Sequence, residues 1–118
     1  MPSLWNREVE DYKVDVFQSP TLNYDRSIRL QLKATASYSA HTVSIRFPTS
    51  APTDFVSIGT NFSTVHISRT RFDEIYHILQ TEKPVYLTAY EFDSTRFAGL
   101  STDPEATGEG FKDSDANP

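Results

Sequence analysis

Residues 68–92, SRTRFDEIYHILQTEKPVYLTAYEF, decide the reading of the fold. Phe72, Ile75, Tyr76 and Leu79 recur at i, i+3, i+4 and i+7, which is one face of a helix. Pro84 ends that helix, because proline pushes Lys83 out of the helical region of backbone space. A strand follows at once, in which Val85, Leu87 and Ala89 alternate with Tyr86, Thr88 and Tyr90. Both of its faces are largely apolar. It is therefore expected inside a sheet, with its second face under another element or a partner. A helix that feeds such a strand through a short link needs a sheet to pack on, and the upstream chain supplies it.

Two residues compete for the start of the helix. Ser68 as cap puts Ile67 and Phe72 in hydrophobic-staple positions, while Thr70 as cap puts Asp73 close to a capping box. In either case Asp73 and Glu74 lie near the positive end of the helix dipole, where acids stabilise.

Upstream, Tyr12, Val14 and Val16 alternate with Asp11, Lys13 and Asp15, a half-buried strand over Glu10–Phe17. Ser27–Tyr38 has the clearest period-2 pattern, with Ile28, Leu30, Leu32, Ala34, Ala36 and Tyr38 on one face. Ser39, Ala40 and His41 make a short connection to a third strand, whose Val43, Ile45 and Phe47 face the core. Asp54–Ile58 and Phe62–Ile67 flank a turn at Gly59, Thr60 and Asn61, giving a fourth and a fifth strand. Phe97 and Leu100 close the edge of the core. The expected fold is α+β, a mainly antiparallel bent sheet or small partial barrel of five to six strands, with one helix before the last strand. Residues 1–8 read as a flexible leader, 9–100 as a single domain and 101–118 as a disordered acidic tail, which cannot bury enough apolar surface to offset its chain entropy.

The chain has 118 residues, a net charge of -5 and no cysteine. That length is one domain by the usual prior. Without cysteine there are no disulfides, no thiolate catalysis and no cysteine-ligated zinc. The acidic balance counts against nucleic acid as a partner, since binding the phosphate backbone needs lysine and arginine to replace counterions. The first residues, MPSLWNREVEDYK, lack the apolar core of a secretory signal, and no run approaches the ~20 apolar residues of a membrane helix. A cytoplasmic location away from membranes is the expectation.

Few constellations point to chemistry. Asp73 and His77 share a helix face at i, i+4, but ordinary side-chain pairing explains them and no second pair completes a metal site. His66, Ser68 and Asp73 are triad residue types without a nucleophile elbow, and helix capping accounts for Ser68. No cofactor, metal or catalytic residue is expected. Arg69 and Arg71 at the helix start can hold a phosphate or carboxylate, or simply balance nearby acids. The aromatic set Tyr76, Tyr86, Tyr90, Phe92 and Phe97 is the most suggestive feature, since tyrosine is enriched at interfaces, although core packing uses the same residues. The reading is a small non-enzymatic binding or interaction protein that recognises a protein partner or self-associates, as a homodimer for example. Its expected surface is Tyr86, Tyr90, Arg69 and Arg71. The alternative is a small-ligand-binding or enzymatic barrel with a site near the helix start, around His66 and Tyr90.

Overall fold

The computed structural model describes residues 3–50, 55–92 and 95–104. Within them the chain forms β1 (Ser3–Val16), β2 (Tyr24–Leu32), β3 (His41–Pro48), β4 (Phe55–Ile58), β5 (Phe62–His66), a turn of 3-10 helix (Arg69–Arg71), α1 (Phe72–Thr81), β6 (Val85–Phe92) and β7 (Thr95–Thr102). All seven strands join one sheet in the order β4-β5-β3-β2-β1-β6-β7. Neighbours are antiparallel except β3 and β5, which run parallel. The two edge strands, β4 and β7, curl back into contact, so the sheet is a nearly closed barrel with one helix before its last two strands. The α+β expectation holds, with seven strands in place of five to six.

The extra length comes from both ends of the domain. β1 begins at Ser3, inside the stretch read as a leader, and it runs for 14 residues. Its first half pairs with β6 and its second half with β2. One strand thus carries the chain from one half-sheet to the other. Two irregularities bend it, at Leu4–Arg7 against β6 and at Val9–Asp11 against β2. A bulge adds a residue to one strand and sharpens its bend, as the corner of a barrel requires. At the first, Asn6 takes a positive φ of 46°. Its backbone N–H donates to the Thr88 hydroxyl, which in turn donates to Asn6 Oδ1. Asparagine is among the few residues that tolerate this backbone region. At the other end, β7 pairs with β6 along its full length, from Phe92–Thr95 to Val85–Thr102. Ser101 and Thr102, the first residues of the expected tail 101–118, thus lie in β7, and residues 105–118 lie outside the described residues.

β2 is shorter than its hydrophobic pattern. The ladder stops at Leu32, and Ala34, Ala36 and Tyr38 are exposed. The reason is local. The Thr35 hydroxyl accepts from the N–H groups of Ser37 and Tyr38, and Thr35 N–H donates to the Tyr38 carbonyl. A threonine side chain here offers the backbone an alternative to the ladder. The connection is therefore longer than expected, and His41 belongs to β3.

The core is the concave face of the sheet closed by α1. Ile28, Leu30, Leu32, Val43, Ile45, Phe47 and Val65 are fully buried, with Leu87 and Ala89 from β6 beside them. α1 turns Phe72 and Leu79 inward. The Phe72 ring meets Phe47 edge to face at 5.0 Å, and Tyr76 meets Tyr12 at 6.3 Å. Ser68 caps the 3-10 turn, its hydroxyl accepting from Thr70 N–H, whereas α1 starts after Arg71, which makes no side-chain cap bond. At the β4–β5 turn a Cβ on Gly59 would sit 2.7 Å from the Phe62 carbonyl oxygen, so this position requires glycine. No helix of the described residues is long and apolar enough to cross a membrane.

Candidate functional site

The five residues singled out from the sequence separate into distinct places. Arg69 turns inward along the barrel wall, where its guanidinium pairs with Asp25 and reaches the Phe47 carbonyl. That pairing holds the Asp25 carboxyl below the usual carboxylate range. Arg71, two residues on, projects from the helix start and pairs with Glu74 at 2.9 Å. The 3-10 turn sends the two arginines to different acids, and both are committed to ion pairs.

His66 lies on the outside of β5 with its ring 4.8 Å from Phe55 of β4. With Arg71, Arg96 and Phe97 it borders a groove of about 290 Å³ along the seam where β4 approaches β7. Burial pushes the His66 imidazole pKa down, and Arg46 pushes it further. Arg96 in this groove pairs with Glu91 at 3.0 Å. The seam thus holds two arginines, each already neutralised. A neighbouring slot of about 470 Å³ runs beneath α1 between Ile75, Ile78, Leu87 and Leu100, with the Arg71–Glu74 pair at its rim.

Tyr86, Thr88 and Tyr90 form the outer face of β6. The Asp103 carboxylate beside the Tyr86 hydroxyl pushes the phenol pKa up. Tyr90 stacks flat on its cross-strand partner Phe97, 5.3 Å between centroids and 11° between planes. On its other side the Trp5 ring lies 6.1 Å away. The result is an aromatic strip across β1, β6 and β7. Trp5 is 64% exposed, Phe97 46% and nearby Phe92 54%. A shallow depression of about 230 Å³ separates Trp5 from Leu100 along the strip.

A further site involves residues that the sequence did not suggest. At the end of the barrel where β3 and β5 begin, a cavity of about 460 Å³ is lined by Trp5, Arg7, Tyr38, Ser39, His41 and Thr60, among others. Because of the bulge at Asn6, Leu4 and Arg7, three residues apart, share the inner face of β1. Arg7 is only 7% exposed. Its Nη2 donates to the Ser39 carbonyl at 2.9 Å, and its guanidinium lies over the Tyr38 ring, 4.7 Å from the centroid. His41 is buried beside it, with Nε2 2.7 Å from Ser63 Oγ. Burial and the Arg7 charge both lower the His41 pKa, against a backbone hydrogen bond at Thr60 that raises it. The imidazole is therefore neutral at pH 7 and exchanges a hydrogen bond with serine. Among the described residues no acid bonds to either side chain, and no group of three or more His, Asp or Glu side chains could hold a metal ion.

No protein-family model matches the chain, and no curated protein or solved structure is significantly similar to it. The functional argument therefore rests on geometry.

Proposed function

We propose that this protein is a non-enzymatic binding protein that recognises a protein surface through the Trp5–Tyr90–Phe97 strip, with a second copy of the chain as its partner. One observation carries the reading: three neighbouring aromatic rings on the outside of a sheet, Tyr90 stacked on Phe97 and tilted against Trp5, two of them about half exposed or more. Contiguous exposed apolar patches of this kind mark interaction sites, and large rigid rings supply contact area at low entropic cost. The strip crosses three adjacent strands, so its surface is broad and shallow. Such a face packs on its own two-fold copy in the manner of two stacked sheets. The Glu91–Arg96 pair beside it gives a polar rim whose two charges can re-pair across that axis.

The test is light scattering over a range of protein concentration, with Phe97→Ser as the comparison. Phe97 is exposed enough that the substitution leaves the core intact. A dimer in the native protein that becomes a monomer in the variant is the expected result. A native protein that stays monomeric at every concentration refutes self-association through the strip.

A further inference from the structure

We propose that the cavity at the Trp5–Arg7–His41 end of the barrel binds a small oxyanion, a carboxylate or phosphate attached to a planar group, with the Arg7 guanidinium as its anchor. The inference does not require the proposed dimer, although Trp5 borders both surfaces. It begins with what the chain does with its other arginines. Arg26 and Arg69 pair with Asp25, Arg71 with Glu74 and Arg96 with Glu91, Arg29 is exposed, and the half-buried Arg46 lies over the Tyr24 ring. Arg7 is more deeply buried than any of these, yet among the described residues no carboxylate lies within ion-pairing distance of it. Its contacts are one carbonyl, at Ser39, and the face of Tyr38. Its Nε–H is buried with no hydrogen-bond partner among the described residues.

A buried charge without a counter-charge is costly, and arginine cannot escape by losing its proton. Guanidinium donors in a fixed fork match an oxyanion that accepts two parallel hydrogen bonds. The cavity beside Arg7 holds no acidic side chain among its described lining residues, so an arriving anion meets no like charge there. This is a local exception in a chain of net charge -5. The volume of about 460 Å³ lies within the usual range for small-molecule sites and exceeds what a bare ion fills. The remaining space is bordered by the rings of Trp5 and Tyr38, which suit a flat group next to the anion. His41 and Ser63 satisfy one another at the back wall and leave the anion to arginine.

The chain has a single tryptophan, and it lines this cavity. Its fluorescence is therefore a direct report on the site. The experiment titrates the full chain, at constant ionic strength, with benzoate, phenyl phosphate and the uncharged analogue benzamide. Saturable changes in Trp5 emission with one or both anions, and none with benzamide, are expected. The tighter of the two anions identifies the headgroup as carboxylate or phosphate. Arg7→Met keeps the apolar stem and removes the charge. It is expected to weaken anion binding by about tenfold or more, the factor that one charge-assisted hydrogen bond supports. Arg7→Lys keeps the charge without the fork and is expected to fall between the two. It also serves if the methionine variant does not fold. In the native protein the Arg7 Nε–H resonance should shift along the same isotherm as the tryptophan. No saturable response to either anion by ~10 mM, a range that already admits binding weaker than 4 kcal/mol, overturns the proposal. So does benzamide binding as well as benzoate, or an Arg7→Lys protein that binds as tightly as the native one.

Discussion

Asn6 offers the sharpest test of how β1 is built, because both proposals depend on the bulge that it forms. Its φ of 46° is a left-handed backbone, which costs a residue with a Cβ roughly 1–2 kcal/mol. Asparagine recovers part of that through the Thr88 hydroxyl, which donates to its Oδ1 at 3.2 Å. The bond is exposed, so its net contribution is about 0.5–1 kcal/mol. Asn6→Ala therefore loses the bond while the backbone cost stays, for an expected destabilisation of about 0.5–1 kcal/mol. Asn6→Val adds a β-branched clash in the same region and should be worse by about 1 kcal/mol. Asn6→Gly loses the bond but removes the backbone penalty, so it should lie within about 0.5–1 kcal/mol of the native protein. The side chain is exposed, so none of the three opens a cavity. Urea unfolding followed by far-UV circular dichroism and by Trp5 emission gives the ranking. The ordering glycine above alanine above valine is the expected result. A valine variant as stable as the glycine variant would place Asn6 at negative φ and remove the bulge, and with it the reason that Leu4 and Arg7 share an inner face.

Two other outcomes follow from the core and the histidines. Phe47→Ala removes a fully buried ring that meets Phe72 at 5.0 Å and should cost about 3–5 kcal/mol in urea unfolding, whereas a loss under about 1 kcal/mol would mean that α1 does not pack on β3. His41 and His66 both have folded-state pKa values below the ordinary 6.5, chiefly through burial and then through Arg7 and Arg46. Below pH 6.5 the unfolded chain then binds more protons than the folded one, so stability falls as pH drops until the folded histidines are themselves protonated. Thermal unfolding at pH 7.5, 6.5 and 5.5, with all values ~1 unit apart on the histidine scale, should show a falling midpoint that flattens in a His41→Gln, His66→Gln variant, and a midpoint that is level or rises toward pH 5.5 would contradict the burial of both rings.

The parts of the fold that were legible in the sequence are those where one face is buried and the ladder is regular. Ile28, Leu30 and Leu32, like Val43, Ile45 and Phe47, alternate in sequence and in space. β1 was legible only in its second half. Its inward residues are Leu4, Arg7, Val9, Tyr12 and Val14, spaced three, two, three and two apart, because each bulge inserts a residue. That spacing matches neither the strand period nor the helix period. The error at β2 runs the other way. Ala34, Ala36 and Tyr38 keep the period after the ladder has ended, since hydrophobic alternation does not register a threonine that caps a turn. Site residues suffered from the same causes. Arg7 lay in apparently structureless sequence, so nothing marked it as inward. His41 reads as a loop residue because Ser39 and Ala40 before it read as a loop. Arg69 and Arg71 looked like a pair, and the backbone separates them.

The outer face of β6 posed the central question of the sequence, namely what covers it. Its own sheet covers part of it. Tyr86 is tied to Asp103, Thr88 to Asn6, and Tyr90 lies between Trp5 and Phe97. Cross-strand pairs of this kind stabilise a sheet and pin its register, and that alone accounts for Tyr90, which is half-buried. It does not account for Trp5 at 64% exposure or Phe97 at 46%, whose outer surfaces gain nothing from the stack. The apolar excess of β6 is shared with its neighbours, and the proposed binding surface centres on Trp5 and Phe97, which flank Tyr90. Trp5 also borders the Arg7 cavity, so one side chain faces both proposed sites. A ligand that reorients this ring would alter the strip, and a partner on the strip would alter affinity in the cavity by the same factor, because coupling between two binding sites is reciprocal.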